Sequence, residues 1–120
     1  MKFCWCTLSV NNLEESLAFY NEVVGLRTAR RFSPAPDTEI VFLDGGGAEV
    51  ELICTEGKPP ASGSDGCSLG FEVSSLRDTQ ARLAAHGIAA ETDIIQPNEH
   101  VRFLFVRDPD GYRIQFVEHI

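Results

Sequence analysis

The 120-residue chain is 43% hydrophobic and 23% charged, which fits one globular domain with a sizeable core and argues against disorder. Its 18 acidic and 10 basic residues give a formal net charge of −8. This charge disfavours nucleic acids and anionic membranes as partners, because their phosphates would be repelled. No apolar stretch is long enough to span a bilayer, and the first residues lack the features of a signal peptide, so we expect a cytoplasmic location.

The first half of the chain predicts one helix followed by strands. Asn12 with Glu15 resembles a capping box at a helix start, and Gly25 is a natural helix end. The run from Asp44 to Gly47 predicts a hairpin turn. The helix should bury one apolar face, formed by Leu13, Leu17, Tyr20 and Val24. The predicted elements are strands over 2–10, 26–32, 39–43 and 49–54, a helix over 13–24 and a loop over 33–37.

The second half repeats this order after a segment rich in Gly, Pro and Ser at 56–65, which reads as a linker. Ser75 and Asp78 repeat the capping arrangement, and Gly87 ends the helix, whose apolar stripe contains Leu76 and Leu83. The run Asp108-Pro109-Asp110-Gly111 predicts a tight hairpin turn. The predicted strands of this half cover 67–73, 88–95, 101–106 and 112–118.

The two halves are an internal repeat. Val10-Asn11-Asn12-Leu13 is matched by Val73-Ser74-Ser75-Leu76, and each match opens a helix. The repeats, about 1–55 and 66–120, therefore predict a single α+β domain over 1–120 made of two βαβββ modules. Neither module can bury its apolar face alone, so we expect them to pair around a shared concave surface. The sequence leaves open whether they pair within one chain or swap between chains.

The four cysteines, Cys4, Cys6, Cys54 and Cys67, include no C-x-x-C pair and no histidine at zinc-finger spacing. In a reducing compartment we interpret them as small buried hydrophobic residues.

Three motifs resemble the vicinal oxygen chelate superfamily, which includes type I glyoxalases, bleomycin-resistance proteins and extradiol dioxygenases. They are the run from Leu8 to Tyr20, then Val24-Gly25-Leu26, and finally the run from Arg107 to Tyr112. The resemblance covers almost the whole chain and implies a curved mixed sheet around a cavity, usually in a homodimer. It is far less specific about the reaction.

The resemblance also implies four metal-ligand positions, which fall on Trp5, Glu51, Ser68 and Gln115. Only Glu51 is a strong ligand, because tryptophan cannot coordinate a metal, serine is a poor neutral ligand and glutamine offers one neutral oxygen. Glutamine also cannot accept a proton at neutral pH, which argues against a working glyoxalase. We therefore expect no cofactor and no strongly bound metal.

Glu51 is the predicted catalytic or ligand-binding carboxylate. Loss of solvation among apolar neighbours such as Trp5 would make it a stronger base, suited to proton abstraction or to docking a cationic group. A purely structural glutamate, hydrogen-bonded by Gln115 or Ser68, is the alternative. Trp5 could stack on a flat ligand or simply fill the cavity as part of the core.

The leading hypothesis is a small-molecule-binding protein of the glyoxalase/bleomycin-resistance type with a cavity lined by Trp5, Glu51, Ser68, Glu72 and Gln115. The second is a metal-dependent lyase, isomerase or dioxygenase using Ni, Zn, Mn or Fe at a weak or relocated site. Candidates for replacement ligands are Glu72 and His100, and His100 with Arg102 could also hold an anionic group. The third is a non-catalytic dimeric scaffold with a filled cavity.

Overall fold

The computed structural model of the protein describes residues 1–63 and 65–120, which separate into two compact units. Unit 1 comprises Met1–Ala61 and unit 2 comprises Ser62–Ile120. Each unit consists of one helical segment and a sheet of three or four strands, so the predicted α+β class is confirmed. None of the helices in the described residues is long and apolar enough to cross a membrane.

Unit 1 has a mixed four-stranded sheet in the order β1-β4-β3-β2. β1 runs parallel to β4, whereas β4 with β3 and β3 with β2 are antiparallel. The element bounds are β1 Trp5–Ser9, α1 Leu13–Ala18, a π-helix Phe19–Val24, β2 Arg27–Ala35, β3 Thr38–Asp44 and β4 Glu49–Thr55.

The helix of unit 1 begins where the sequence predicts. The backbone N–H of Glu15 donates to the Asn12 side chain (3.0 Å), and Gly25 ends the helix with a φ of +90°. The last turns of this helix are π-helical. Val23 is buried there, whereas Val24, which the helical spacing predicts to be buried, is only half-buried.

β2 is longer and less regular than predicted. Residues 33–35, assigned to a loop from the sequence, continue the strand, and the turn is confined to 36–37. β2 is the terminal strand of its sheet, where the missing N–H of Pro34 is tolerated. Its pairing with β3 shifts register twice, between Thr28 and Arg30 and between Phe32 and Ala35.

Unit 2 has a mixed three-stranded sheet in the order β5-β7-β6, with β5 parallel and β6 antiparallel to β7. Helix α2 is capped as predicted, because the Asp78 N–H donates to the Ser75 hydroxyl (3.1 Å), and its Leu76 and Leu83 are buried. The element bounds are β5 Ser68–Glu72, α2 Leu76–Ala85, β6 Val101–Arg107 and β7 Arg113–His119.

The prediction of a strand over 88–95 is wrong. This segment lies beside β6 but pairs with it by a single bridge, between Ile95 and Phe103. One reason is that the Phe105 N–H donates to the Thr92 hydroxyl (3.3 Å) instead of to a backbone carbonyl. Unit 2 is therefore βαββ among its described residues, where the sequence predicted βαβββ.

The hairpin between β6 and β7 is organised by the buried carboxylate of Asp108. One oxygen, Oδ1, accepts the backbone N–H groups of Asp110 and Tyr112, both at 2.9 Å. Gly111 supplies the positive φ of +86° that the turn requires. The predicted tight turn is confirmed.

The interpretation of all four cysteines as buried is wrong. Cys6 and Cys54 are half-buried, whereas Cys4 and Cys67 are exposed because each precedes the first strand of its unit.

Candidate functional site

The strands of unit 1 present one face that the helix does not cover. On β4, buried Val50 and Leu52 alternate with half-buried Glu49 and Glu51, as strand geometry requires. We call the face that carries the two glutamates the open face of unit 1. Its side chains used below are Trp5, Thr7, Arg30, Phe32, Phe42, Glu49 and Glu51.

Trp5 is a partly exposed member of the open face of unit 1. Its side chain remains 45% exposed, although its ring meets that of Phe42 edge-on with centroids 5.0 Å apart. Phe32 stacks on the other side of Phe42, at 6.2 Å, and is 44% exposed. Trp5 and Phe32 thus offer ring surface to a ligand, while Phe42 is buried between them.

Glu51 is half-buried and is held by a neighbour on β1. The Thr7 hydroxyl donates to Glu51 Oε1 at 2.5 Å, and the two residues are register partners. Within unit 1, the hydrogen-bond partner of Glu51 is therefore Thr7. On the neighbouring strand β3, the register partner of Glu51 is Phe42. Glu51 therefore lies between an aromatic residue on β3 and the Thr7 hydroxyl on β1.

Glu49, the second acid of this face, is neutralised within the chain. Arg30 donates to both of its carboxylate oxygens, at 2.7 and 3.0 Å, and lies 3.8 Å above the Phe42 ring. The hydrogen bond that Arg30 donates to Glu49 raises the pKa of Arg30. Glu51, by contrast, forms no ion pair with any described residue, although its negative charge also raises the pKa of Arg30.

Two other arginines of β2 also form ion pairs with acidic residues of unit 1. Arg31 is paired with Glu39 at 2.5 Å and Glu14 at 2.8 Å, and Arg27 lies 3.9 Å from Asp44.

The corresponding open face of unit 2 carries the remaining predicted site residues. Ser68 and Glu72 are exposed on β5, and Gln115 is half-buried on β7. Gln115 lies opposite Gly70, where an added Cβ would be 3.4 Å from its Oε1, so the missing side chain leaves room for the amide. Glu72 contacts His119, whose Nδ1 lies 2.8 Å from Glu72 Oε1.

His100 and Arg102 are not brought together as an anion-binding pair. Arg102 donates to Glu118 at 2.8 Å, and Glu118 also accepts the backbone N–H of Leu76 at the start of α2. The hydrogen bond from Arg102 lowers the pKa of Glu118. The His100 side chain is 79% exposed beside Glu99.

Sequence reasoning missed the aromatic and arginine members of both faces. Phe42 and Arg30 in unit 1 have counterparts in Phe105 and Arg113 of unit 2, whose guanidinium lies 3.7 Å above the ring. A signal was available, because Phe42 and Phe105 hold the same place in the two repeats, opposite Glu51 and Gln115.

The grouping of the histidine, cysteine and acidic side chains bears on whether a metal ion could bind. Among residues 1–63 and 65–120, three or more His, Cys, Asp or Glu side chains nowhere come together as a possible metal site. Catalytic divalent metals normally keep three strong protein ligands. The four positions that the family resemblance assigns to metal ligands hold Trp5, Glu51, Ser68 and Gln115, of which Glu51 is the one carboxylate.

Comparison with known proteins agrees with this fold. Residues 2–116 match the family model of the Glyoxalase/Bleomycin resistance protein/Dioxygenase superfamily. The lactoylglutathione lyase of Haemophilus influenzae is 30% identical over 129 residues, covering 99% of this chain and 93% of that protein.

Solved structures show the same architecture at low identity. A glyoxalase family protein from Bacillus cereus has a TM-score of 0.84 and 18% identity, covering 100% of this chain and 95% of its own. The trypanothione-dependent glyoxalase I of Leishmania major has a TM-score of 0.83 and 21% identity, and the match covers 98% of this chain and 86% of that protein. The chain belongs to the Glyoxalase/Bleomycin resistance protein/Dioxygenase superfamily.

Proposed function

We propose that this protein binds a small molecule carrying a flat, positively charged group, without a strongly bound metal. The observation that carries the proposal is the half-buried carboxylate of Glu51, which forms no ion pair with any described residue and shares its face with the exposed ring of Trp5. A cation placed there would meet both a carboxylate and an aromatic face, two interactions that reinforce each other when water is excluded.

The charge balance of the face supports this choice of ligand. Glu49 is already matched by Arg30, so a bound cation would be attracted to Glu51. The net charge of −8 favours the approach of a cation over that of an anion. Ser68, Glu72 and Gln115, which the sequence also predicts as ligand-binding residues, offer polar side chains on unit 2.

The test compares two flat probes, the cation N-methylquinolinium and the neutral molecule quinoline, by NMR titration of the full-length protein. We expect N-methylquinolinium to bind more tightly than quinoline and to shift the indole N–H signal of Trp5, the one tryptophan in the chain. Glu51→Gln should weaken the binding of the cation by about 1.5–3 kcal/mol, roughly ten- to 150-fold in affinity, while leaving the fold intact.

Glu56→Gln is the matched control, because Glu56 is exposed and its removal changes the net charge by the same amount. It should leave the affinity unchanged. Equal losses of affinity in both variants would mean that the change in net charge causes the effect. Unchanged affinity in Glu51→Gln would exclude the role assigned to Glu51.

A metal-dependent lyase or isomerase is the second candidate, favoured by the name of the Haemophilus influenzae relative. Under our proposal, chelator-stripped protein should show the same melting temperature with and without Ni²⁺, Zn²⁺, Mn²⁺ or Fe²⁺. A cation at about a hundred times its dissociation constant would stabilise the fold by roughly 2.7 kcal/mol, a shift of several degrees. Such a shift with one ion, together with activity that chelation removes, would establish the enzyme instead.

A further inference from the structure

Arg113 is a fixed cation on unit 2 that no part of the proposed function uses. Its guanidinium lies 3.7 Å above the ring of Phe105, and the side chain is 32% exposed. Its Nε is buried and lies 3.4 Å from Glu91 Oε1 without forming a hydrogen bond. Aromatic stacking and this ion pair hold the guanidinium in one place, which reduces the entropy that a ligand would have to overcome.

Glu91 is not a partner of Arg113 alone, because Arg107 also binds it. Arg107 donates to both carboxylate oxygens of Glu91, and this hydrogen bonding lowers the pKa of the acid. Arg107 also pairs with the exposed Asp65 at 3.0 Å. The terminal nitrogens of Arg113 donate to no acceptor in the described part of the chain.

The repeat in unit 1 shows what such an arginine binds. Arg30 lies over Phe42 as Arg113 lies over Phe105, at nearly the same distance. There, both terminal nitrogens are taken by the Glu49 carboxylate in a bidentate pair. In unit 2, Arg113 itself occupies the strand position that corresponds to Glu49, so the internal carboxylate is missing.

We infer that the terminal nitrogens of Arg113 bind a small molecule through its carboxylate group, with Ser68 and Gln115 as flanking hydrogen-bond donors. Ser68 is the register partner of Arg113 and Gln115 lies two residues along the same strand, so all three share the open face of unit 2. A planar carboxylate matches the fork geometry of arginine. The inference goes beyond the proposed function, because it concerns the open face of unit 2 alone.

The test is an NMR titration of the ¹⁵N-labelled full-length protein with benzoate, followed at the Nε–H signal of Arg113. Benzamide is the neutral control and inorganic phosphate the control for a general anion site. We expect saturable benzoate binding that shifts this signal, with benzamide and phosphate at least about tenfold weaker.

Variants of Arg113 test whether binding needs the planar guanidinium or only its positive charge. Arg113→Gln should weaken benzoate about tenfold or more, and Arg113→Lys several-fold, because lysine keeps the charge but loses the fork. Arg30→Gln is the matched control and should leave benzoate affinity unchanged, since Arg30 already holds Glu49.

Three outcomes would overturn the inference: no saturable benzoate binding, binding that leaves the Arg113 signal unmoved, or phosphate binding more tightly than benzoate. Because the net charge is −8, non-specific attraction of an anion cannot imitate the expected result. N-methylquinolinium reports on Glu51 and benzoate on Arg113, so failure of this inference is distinguishable from failure of the proposed function.

Discussion

Replacing Phe116 with alanine is expected to lower the free energy of unfolding by about 3–5 kcal/mol. Phe116 is fully buried at the centre of the unit 2 sheet, where it is paired with Phe71 on β5 and Leu104 on β6. Removing the ring loses its transfer free energy and leaves a cavity that the flanking strands cannot close. Urea unfolding followed by far-ultraviolet circular dichroism measures the change.

Phe3→Ala is the control for this prediction, because Phe3 is 71% exposed and lies before β1. The same chemical change there should alter stability by no more than about 0.5 kcal/mol. A loss below about 1 kcal/mol in Phe116→Ala would contradict the assignment of this residue to a close-packed core.

The second large effect is expected at the β6–β7 hairpin. Asp108→Ala removes the acceptor of two backbone N–H groups, those of Asp110 and Tyr112. Donors left without a partner in a partly buried turn cost about 1–3 kcal/mol each, so we expect a loss of about 2–4 kcal/mol overall. Thermal and urea unfolding would both report it.

Asp108→Asn tests the cause of that loss. Both hydrogen bonds go to the single oxygen Oδ1, which asparagine retains, so this variant should keep most of the stability. If asparagine were as damaging as alanine, another interaction of Asp108 would be the stabilising feature, and the account based on the two N–H groups would be wrong.

The fold was predictable wherever local chemistry determines it. The helix starts at Asn12 and Ser75 and the turn at Gly111 follow from capping and from backbone freedom, and all three are confirmed. The errors lie where tertiary contacts override local preference. Thr92 interrupts a strand by side-chain hydrogen bonding, and Pro34 is accepted on a terminal strand.

The candidate site was predictable in part. The family resemblance identified Glu51 and Trp5 by position, but residue type alone could not show that Thr7 would hold the carboxylate. Nor could it show that Glu49 would be neutralised by Arg30, because their contact joins two strands that are separated in the sheet by β3. Such contacts depend on strand order, which hydrophobic periodicity does not specify.

The irregular outline of β2 bears on how the protein behaves when concentrated. A terminal strand offers unpaired backbone groups to a strand from another molecule, the contact from which fibres grow. Here two register shifts and Pro34 leave only short regular stretches, and charged Arg27 and Arg31 stand beside them. An incoming strand would find few consecutive hydrogen bonds along β2, so fibre growth from this strand should be disfavoured in crowded solution.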